Sequence, residues 1–168
     1  MIDAQSVKTS ANVAETGQGI DAGKKTEGRK RHVITDTLGL VLAVLVTAAS
    51  VHDPTGGKLL LDDLGAAHPT VSKARADDGH RSSLFDHGAG PAIDVEVVQR
   101  PRTKGFEPLP KRWVTERTLG RLMRHRRPAR DHEALPRRSR AMIHRAMASN
   151  MPREPKGDPR QRGESKRT

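Results

Sequence analysis

Cysteine is missing from this 168-residue chain, which excludes a disulfide framework, a thiolate zinc site and a thiol nucleophile. Aromatic residues are almost missing too: Phe85, Phe106 and Trp113 are the whole set, and there is no tyrosine. Hydrophobic residues make up only 33% of the chain, so its core must be a thin one of Val, Leu, Ile and Ala. No early segment joins a charged start to an apolar stretch, and nothing reads as a signal peptide. The longest apolar run, 38–51, is interrupted by Gly39 and Thr47 and is too short to span a bilayer. These absences predict a cytoplasmic protein with no membrane partner, of one domain plus a tail.

What is present in excess is positive charge. The net charge is +11, and it is unevenly placed. Residues 1–99 carry 10 Lys and Arg against 13 Asp and Glu, whereas residues 100–168 carry 21 against 7. Such asymmetry suits a polyanionic partner, because each cation set against a phosphate releases counterions. A solvated basic tail has the same composition, so charge alone names a partner class and no chemistry.

Ile2 to Val7 alternates loosely and predicts a short strand. Thr9 to Gly28 is polar, contains several glycines and reads as a loop that buries nothing. RKRHVITD (29–36) and LVLAVLVT (40–47), parted by Thr37-Leu38-Gly39, predict a β-hairpin. Its second strand is apolar on both faces and is expected to be central or covered. Asp53-Pro54 predicts a helix start, with Asp53 as N-cap and Pro54 at the first helical position. Further strands are expected at Val71 to Asp77 and Val95 to Val98, with a helical turn or two over Arg81 to His87. An amphipathic helix is expected from Trp113 to about Arg127, broken or kinked by Pro128, and another from about Ser139 to Met151. The tail, 152–168, has no hydrophobic residue and is expected to be disordered. The order of elements describes an α/β domain, a mixed sheet flanked by helices.

Two tempting motifs fail. GQGIDAGKKT lacks a glycine at Gln18 and a hydroxyl residue at Lys25, so it is not a phosphate-binding loop. The eight histidines form no metal-binding pair on a helix. Three acids stand out by position: Asp3 in the first strand, Asp77 at the end of another, and Glu116 on the late helix. Two strand aspartates and a helix glutamate can meet at a sheet edge, where carboxylates supply hard oxygen ligands for Mg²⁺. Spacing alone leaves the ordinary alternatives open: a strand-end turn former and a first-turn helix acid. GKKTEGRKRH places Lys24, Lys25, Arg29, Lys30 and Arg31 in a glycine-bearing segment, which is either a solvated cluster or a grip on phosphates.

DAQSVKTSANV, GKKTEGRKRHVITDTLGLVLAVLVTAASVHD, ADDGHRS and RWVTERTLGRLMRHRR occur in that order. Together they resemble the DDE transposases of bacterial insertion sequences, in the group related to insertion sequences four and five, over residues 2 to 151. The resemblance implies an RNase H-like catalytic domain over 1–151 and metal-dependent cleavage and strand transfer of DNA. It assigns the triad to Asp3, Asp77 and Glu116, as catalytic residues and as ligands of Mg²⁺ or Mn²⁺. Lys24, Lys25, Arg29, Lys30, Arg31, Arg112 and Arg117 would neutralise nearby DNA. The partners implied are double-stranded DNA, as element ends and target, and a second copy of the chain. A cytoplasmic, nucleoid-associated protein follows.

The chain also departs from the family pattern. A helical N-terminal domain is expected before the first family aspartate, and here Met1 stands two residues ahead of Asp3. His80 and His132 stand where the pattern has Tyr, Leu119 where it has Phe, Arg121 where it has Trp, and Pro128 where it has Leu. Each is one T-to-C change away. The expectation is a degenerate, truncated copy that keeps its triad. The alternative is a non-catalytic, basic DNA-binding remnant.

Overall fold

The computed structural model describes residues 1–77, 92–98 and 112–151. The helical turn expected at 81–87 and the tail 152–168 lie outside the described residues. Strand β1 (Ile2–Val7) runs through the middle of a mixed sheet. On one side it pairs antiparallel along its whole length with β3 (Thr26–Thr35), from Ile2↔Ile34 to Val7↔Arg29. On the other it pairs parallel with β5 (Lys73–Asp77) at Ile2↔Ala76, and β5 pairs parallel with β6 (Asp94–Val98). Strand β4 (Val41–Ala48) lies outside β3, so the main order is β4-β3-β1-β5-β6. This is the RNase H-like mixed α/β arrangement that the resemblance implies.

Helix α1 (Asp53–Ala67) covers one face of the sheet, where Leu60, Leu61 and Leu64 meet Ile2, Ile34, Ala43, Ala74 and Ala76. Helices α2 (Arg112–Leu122) and α4 (Pro136–Ser149) cover the other, where Leu119, Leu122, Ile143 and Met147 meet Val33, Val44 and Val46. Alternate side chains of β4 therefore enter both clusters, which is why that strand is apolar on both sides. It is a covered edge strand, not a central one. Among the described residues the two core clusters hold no aromatic side chain.

Three expectations are corrected. The polar stretch 9–28 contains a one-turn 3₁₀ segment (Glu15–Gly17) and a strand, β2 (Gly19–Asp21), which pairs with the start of β3, and it buries Val13 and Asp21. The N-cap of α1 is His52, because the Asp53 carboxylate turns to the Lys30 ammonium, 2.9 Å away. The helix carrying Glu116 ends at Leu122 without help from Pro128. That proline sits in the first turn of a separate short helix, α3 (Arg126–Ala129), where a missing N–H costs little.

Candidate active site

Residue parity in the sheet decides which acids can meet. Ile2 and Ala76 are directly paired and both enter the α1 cluster. Asp3 and Asp77, one residue further on each strand, therefore stand side by side on the opposite face. Neighbouring strands are about 4.8 Å apart, so the two carboxylates share one patch of surface. Both are half-buried, and the Asp3 carboxylate accepts the Ala4 N–H at 2.7 Å. Further out on the same face, Arg75 pairs with Glu96 at 3.0 Å and Lys73 with Glu96 at 3.1 Å. The Arg75 and Lys73 contacts hold the Glu96 carboxyl below its usual range.

Glu116 reaches this face through α2, whose inward side is Val114, Thr115, Thr118, Leu119 and Leu122. Two hydroxyls fix the helix to the hairpin beneath it: Thr115 shares a hydrogen bond with Thr35 at 2.9 Å, and Thr118 donates to the Gly39 carbonyl at 2.8 Å. The turn receiving Thr118 is itself built by Asp36, whose carboxylate accepts the N–H groups of Leu38 and Leu40, both at 2.8 Å. Glu116 is exposed and borders a hollow of about 370 Å³ lined also by Gln5, Ser6, Lys24, Leu119 and Gly120. Sequence reading missed the two threonine anchors. Their i, i+3 spacing within the stripe of Leu119 and Leu122 was the available signal.

The cations divide sharply. Lys24 and Lys25 are exposed at the tip of the β2–β3 hairpin, and the Lys24 ammonium donates to the Ala4 carbonyl at 2.9 Å, next to Asp3. Arg117 is exposed on α2, and Arg112 opens that helix. Arg29, Lys30 and Arg31 are buried, with 0%, 5% and 1% of their surface exposed, which corrects their expected role on DNA. Arg29 donates to the carbonyls of Gly17, Glu133 and Ala134 and faces Asp131 at 3.4 Å. Lys30 bridges Asp21 and Asp53 and donates to the Val51 carbonyl. Burial lowers its pKa, but the two carboxylates more than offset this and hold it above its ordinary value. Burial brings the Arg31 guanidinium down to about 10, against the pull of Asp131. The signal for this inward turn was periodicity. A strand sandwiched between helices turns every second side chain toward each layer, whatever its charge.

Three carboxylates are a fitting donor type for Mg²⁺ or Mn²⁺. Their placement fits only in part: Asp3 and Asp77 form a pair. Among the described residues, however, no three His, Cys, Asp or Glu side chains gather closely enough to hold a metal ion. Glu116 is exposed on the helix that lies over the same face. No helix among the described residues is long and apolar enough to cross a membrane.

The family described as Transposase DDE domain matches residues 1–151. A Burkholderia cepacia protein, provisionally named as the transposase for insertion sequence element IS402, is 36% identical over 114 residues. That similarity covers 60% of this chain and 51% of the relative, so the chain spans about half the length of the protein it matches. No solved structure gives a match. The family match covers every described element from β1, which carries Asp3, through β5 and α2 to α4, and on that extent the chain belongs to the DDE transposase domain family.

Proposed function

We propose that this chain is the catalytic-domain portion of a DNA transposase, acting on phosphodiesters in the cleavage and strand transfer that move an insertion sequence. Asp3, Asp77 and Glu116 are its acidic triad. The observation that carries this reading is the pairing of Asp3 and Asp77 on adjacent strands of one face, with Glu116 on the helix laid over that face. The family is one of phosphodiester transfer and divalent metal use. In this reading Lys24 and Lys25 approach the DNA backbone from the hairpin tip and Arg117 does so from α2, the helix that Arg112 opens. Phosphate contacts of this kind set register without reading sequence.

A second reading, a protein that holds DNA without cutting it, draws on the exposed cations Lys24, Lys25 and Arg117 alone. Supercoiled plasmid incubated with the full chain and Mg²⁺ or Mn²⁺ separates the two. Nicking that disappears in Asp77→Ala supports the transposase reading. Salt-sensitive DNA binding with no nicking, equal in wild type and Asp77→Ala, supports the reading as a DNA-holding protein that does not cut.

A further inference from the structure

Two polar side chains beside the acidic face are left unused by the triad. Gln5 on β1 and Arg31 on β3 are directly paired across the sheet, so their side chains share one face. It is the face of Asp3, which precedes Gln5 by two residues and about 7 Å of strand. Arg31 is 1% exposed, and among the described residues its Nε and Nη1 meet no hydrogen-bond partner. The Gln5 Oε1 is buried too and, among the described residues, equally unmet. Such groups carry the full cost of their desolvation until something satisfies them. Donors on one strand and an acceptor on the next suit an internal water, which accepts from the guanidinium and donates to the carboxamide. Gln5 also borders the hollow beside Glu116. The oxygen and the NH2 group of a carboxamide diverge from its carbon, so an inward oxygen turns the NH2 group away from the interior. The charged residues lining this hollow are Lys24 and Glu116, and the Lys24 ammonium is held by the Ala4 carbonyl at 2.9 Å. Gly120 leaves its part of the wall open, since a Cβ there would meet nothing within 4 Å.

We propose that Gln5 is a catalytic residue whose carboxamide N–H donates to a nonbridging oxygen of the reacting phosphodiester, and that Arg31 positions it through one internal water. This inference rests on the reading of the chain as a phosphodiester-transfer enzyme. Carboxylates can only accept, so Asp3, Asp77 and Glu116 offer a phosphate no hydrogen bond of their own. A neutral amide donates at every pH and has no proton to lose. In the cleavage step the water oxygen bonds to phosphorus while the bond to the leaving oxygen breaks. The proton given up by the water ends on that leaving oxygen by way of solvent, and negative charge gathers on the nonbridging oxygens meanwhile. A donor already fixed in place stabilises that charge without reorganising. Arg31 supplies the fixing from a buried place that DNA does not reach, which gives a use to a guanidinium kept inside the sheet.

The site that the full chain nicks on a plasmid is mapped and rebuilt in a synthetic duplex. Sulfur, a weak hydrogen-bond acceptor, replaces one or the other nonbridging oxygen of the cleaved phosphate. One of the two replacements is expected to slow single-turnover nicking by wild type, with Mn²⁺ as much as with Mg²⁺. Gln5→Met is expected to nick the all-oxygen duplex roughly a hundred-fold more slowly, with DNA affinity and urea midpoint unchanged, and to lose that sulfur effect. Arg31→Met is expected to slow nicking and weaken the same sulfur effect without lowering the urea midpoint. A sulfur effect that survives in Gln5→Met, or a Gln5→Met rate equal to wild type, overturns the role of Gln5 and leaves the transposase reading standing. A second measurement needs neither a variant nor nicking: the side-chain NH2 signals of Gln5 are followed by NMR as duplex is added to the wild-type chain with Ca²⁺. They are expected to shift, and signals that stay in place overturn the proposal. Absence of nicking by wild type overturns the transposase reading and catalysis by Gln5 with it, and a shift of the NH2 signals then leaves Gln5 as a phosphate donor in a protein that only holds DNA.

Discussion

Arg29 and Arg31 stand on the same face of β3 and share one buried carboxylate, Asp131, yet they contribute in opposite directions. Asp131 is engaged on every side, accepting from Arg29, from the Ser139 hydroxyl at 2.6 Å and from the Glu133 N–H at 3.0 Å. Each of the three guanidinium nitrogens of Arg29 donates a hydrogen bond, whereas among the described residues Nε and Nη1 of Arg31 are buried without a hydrogen-bond partner. Removing one member of a satisfied buried pair leaves an uncompensated charge and costs about 3–5 kcal/mol. Asp131→Ala is therefore expected to lower stability by that order, read as a fall in the urea midpoint. Arg31→Met removes a charge that burial already disfavours, so it should be neutral or stabilising. Asp21 makes a pH-dependent contribution. Burial raises its pKa, but hydrogen bonds from Ser6, the Lys24 N–H and Lys30 bring it down to about 2 from an ordinary 3.8. A carboxyl whose native pKa is depressed stabilises the fold above its unfolded pKa, and that contribution fades as pH falls through the native value. The urea midpoints of wild type and Asp21→Asn should thus differ most above about pH 4 and converge toward about pH 2.

At the scale of elements, the placement of α2 depends on one turn. Gly39 has φ +92°, in the region that favours glycine, and a Cβ there would sit 2.8 Å from the Thr118 hydroxyl that anchors the helix. Gly39→Ala is expected to cost about 1–3 kcal/mol through backbone strain and the displaced anchor. The shift should appear in Trp113 emission, because that ring rides on the same helix, while the α1 face keeps its packing. Chemical denaturation followed by fluorescence and by circular dichroism checks both parts. Most elements were legible in the sequence because their periodicity is strong: β1, the β3–β4 hairpin, α1, the parallel pair and α4 all follow from runs of Val, Leu, Ile and Ala. The short strand β2 was not, because Gly19-Ile20-Asp21 forms a strand by pairing with Thr26 to Gly28 and not by its own pattern. The edge position of β4 was equally hidden, since burial by helices on both faces looks in sequence like a central place. Of the candidate site, the places of the two aspartates were legible, Asp3 within the first strand and Asp77 at the end of another. The seating of Glu116 beside the hollow at Gln5 and Ser6 was not, because it depends on how α2 lies on the sheet.

The whole molecule separates its charge by depth as well as by sequence. Read along the chain, the β3 cations look like part of one basic surface. In the fold they belong to internal networks that tie the hairpin, the α1 start and the segment after α3 to the sheet. Arg29, Lys30 and Arg31 therefore add nothing to the exposed positive charge. In the proposed reading the cations nearest the hollow beside Glu116 are those of the hairpin tip, Lys24 and Lys25, and of the exposed side of α2. This geometry makes salt dependence the decisive measurement, because each phosphate neutralised in a duplex adds about 0.9 to the slope of log affinity against log salt. Lys24→Gln, Lys25→Gln and Arg117→Gln should each reduce that slope by up to about 0.9 and weaken binding evenly across DNA sequences. Arg31→Met should leave the slope unchanged, although it removes the same unit of charge, because its guanidinium never meets solvent. A slope that falls equally in Arg31→Met would mean that β3 opens to DNA. An unchanged slope in the Lys24, Lys25 and Arg117 variants would place the DNA on another face.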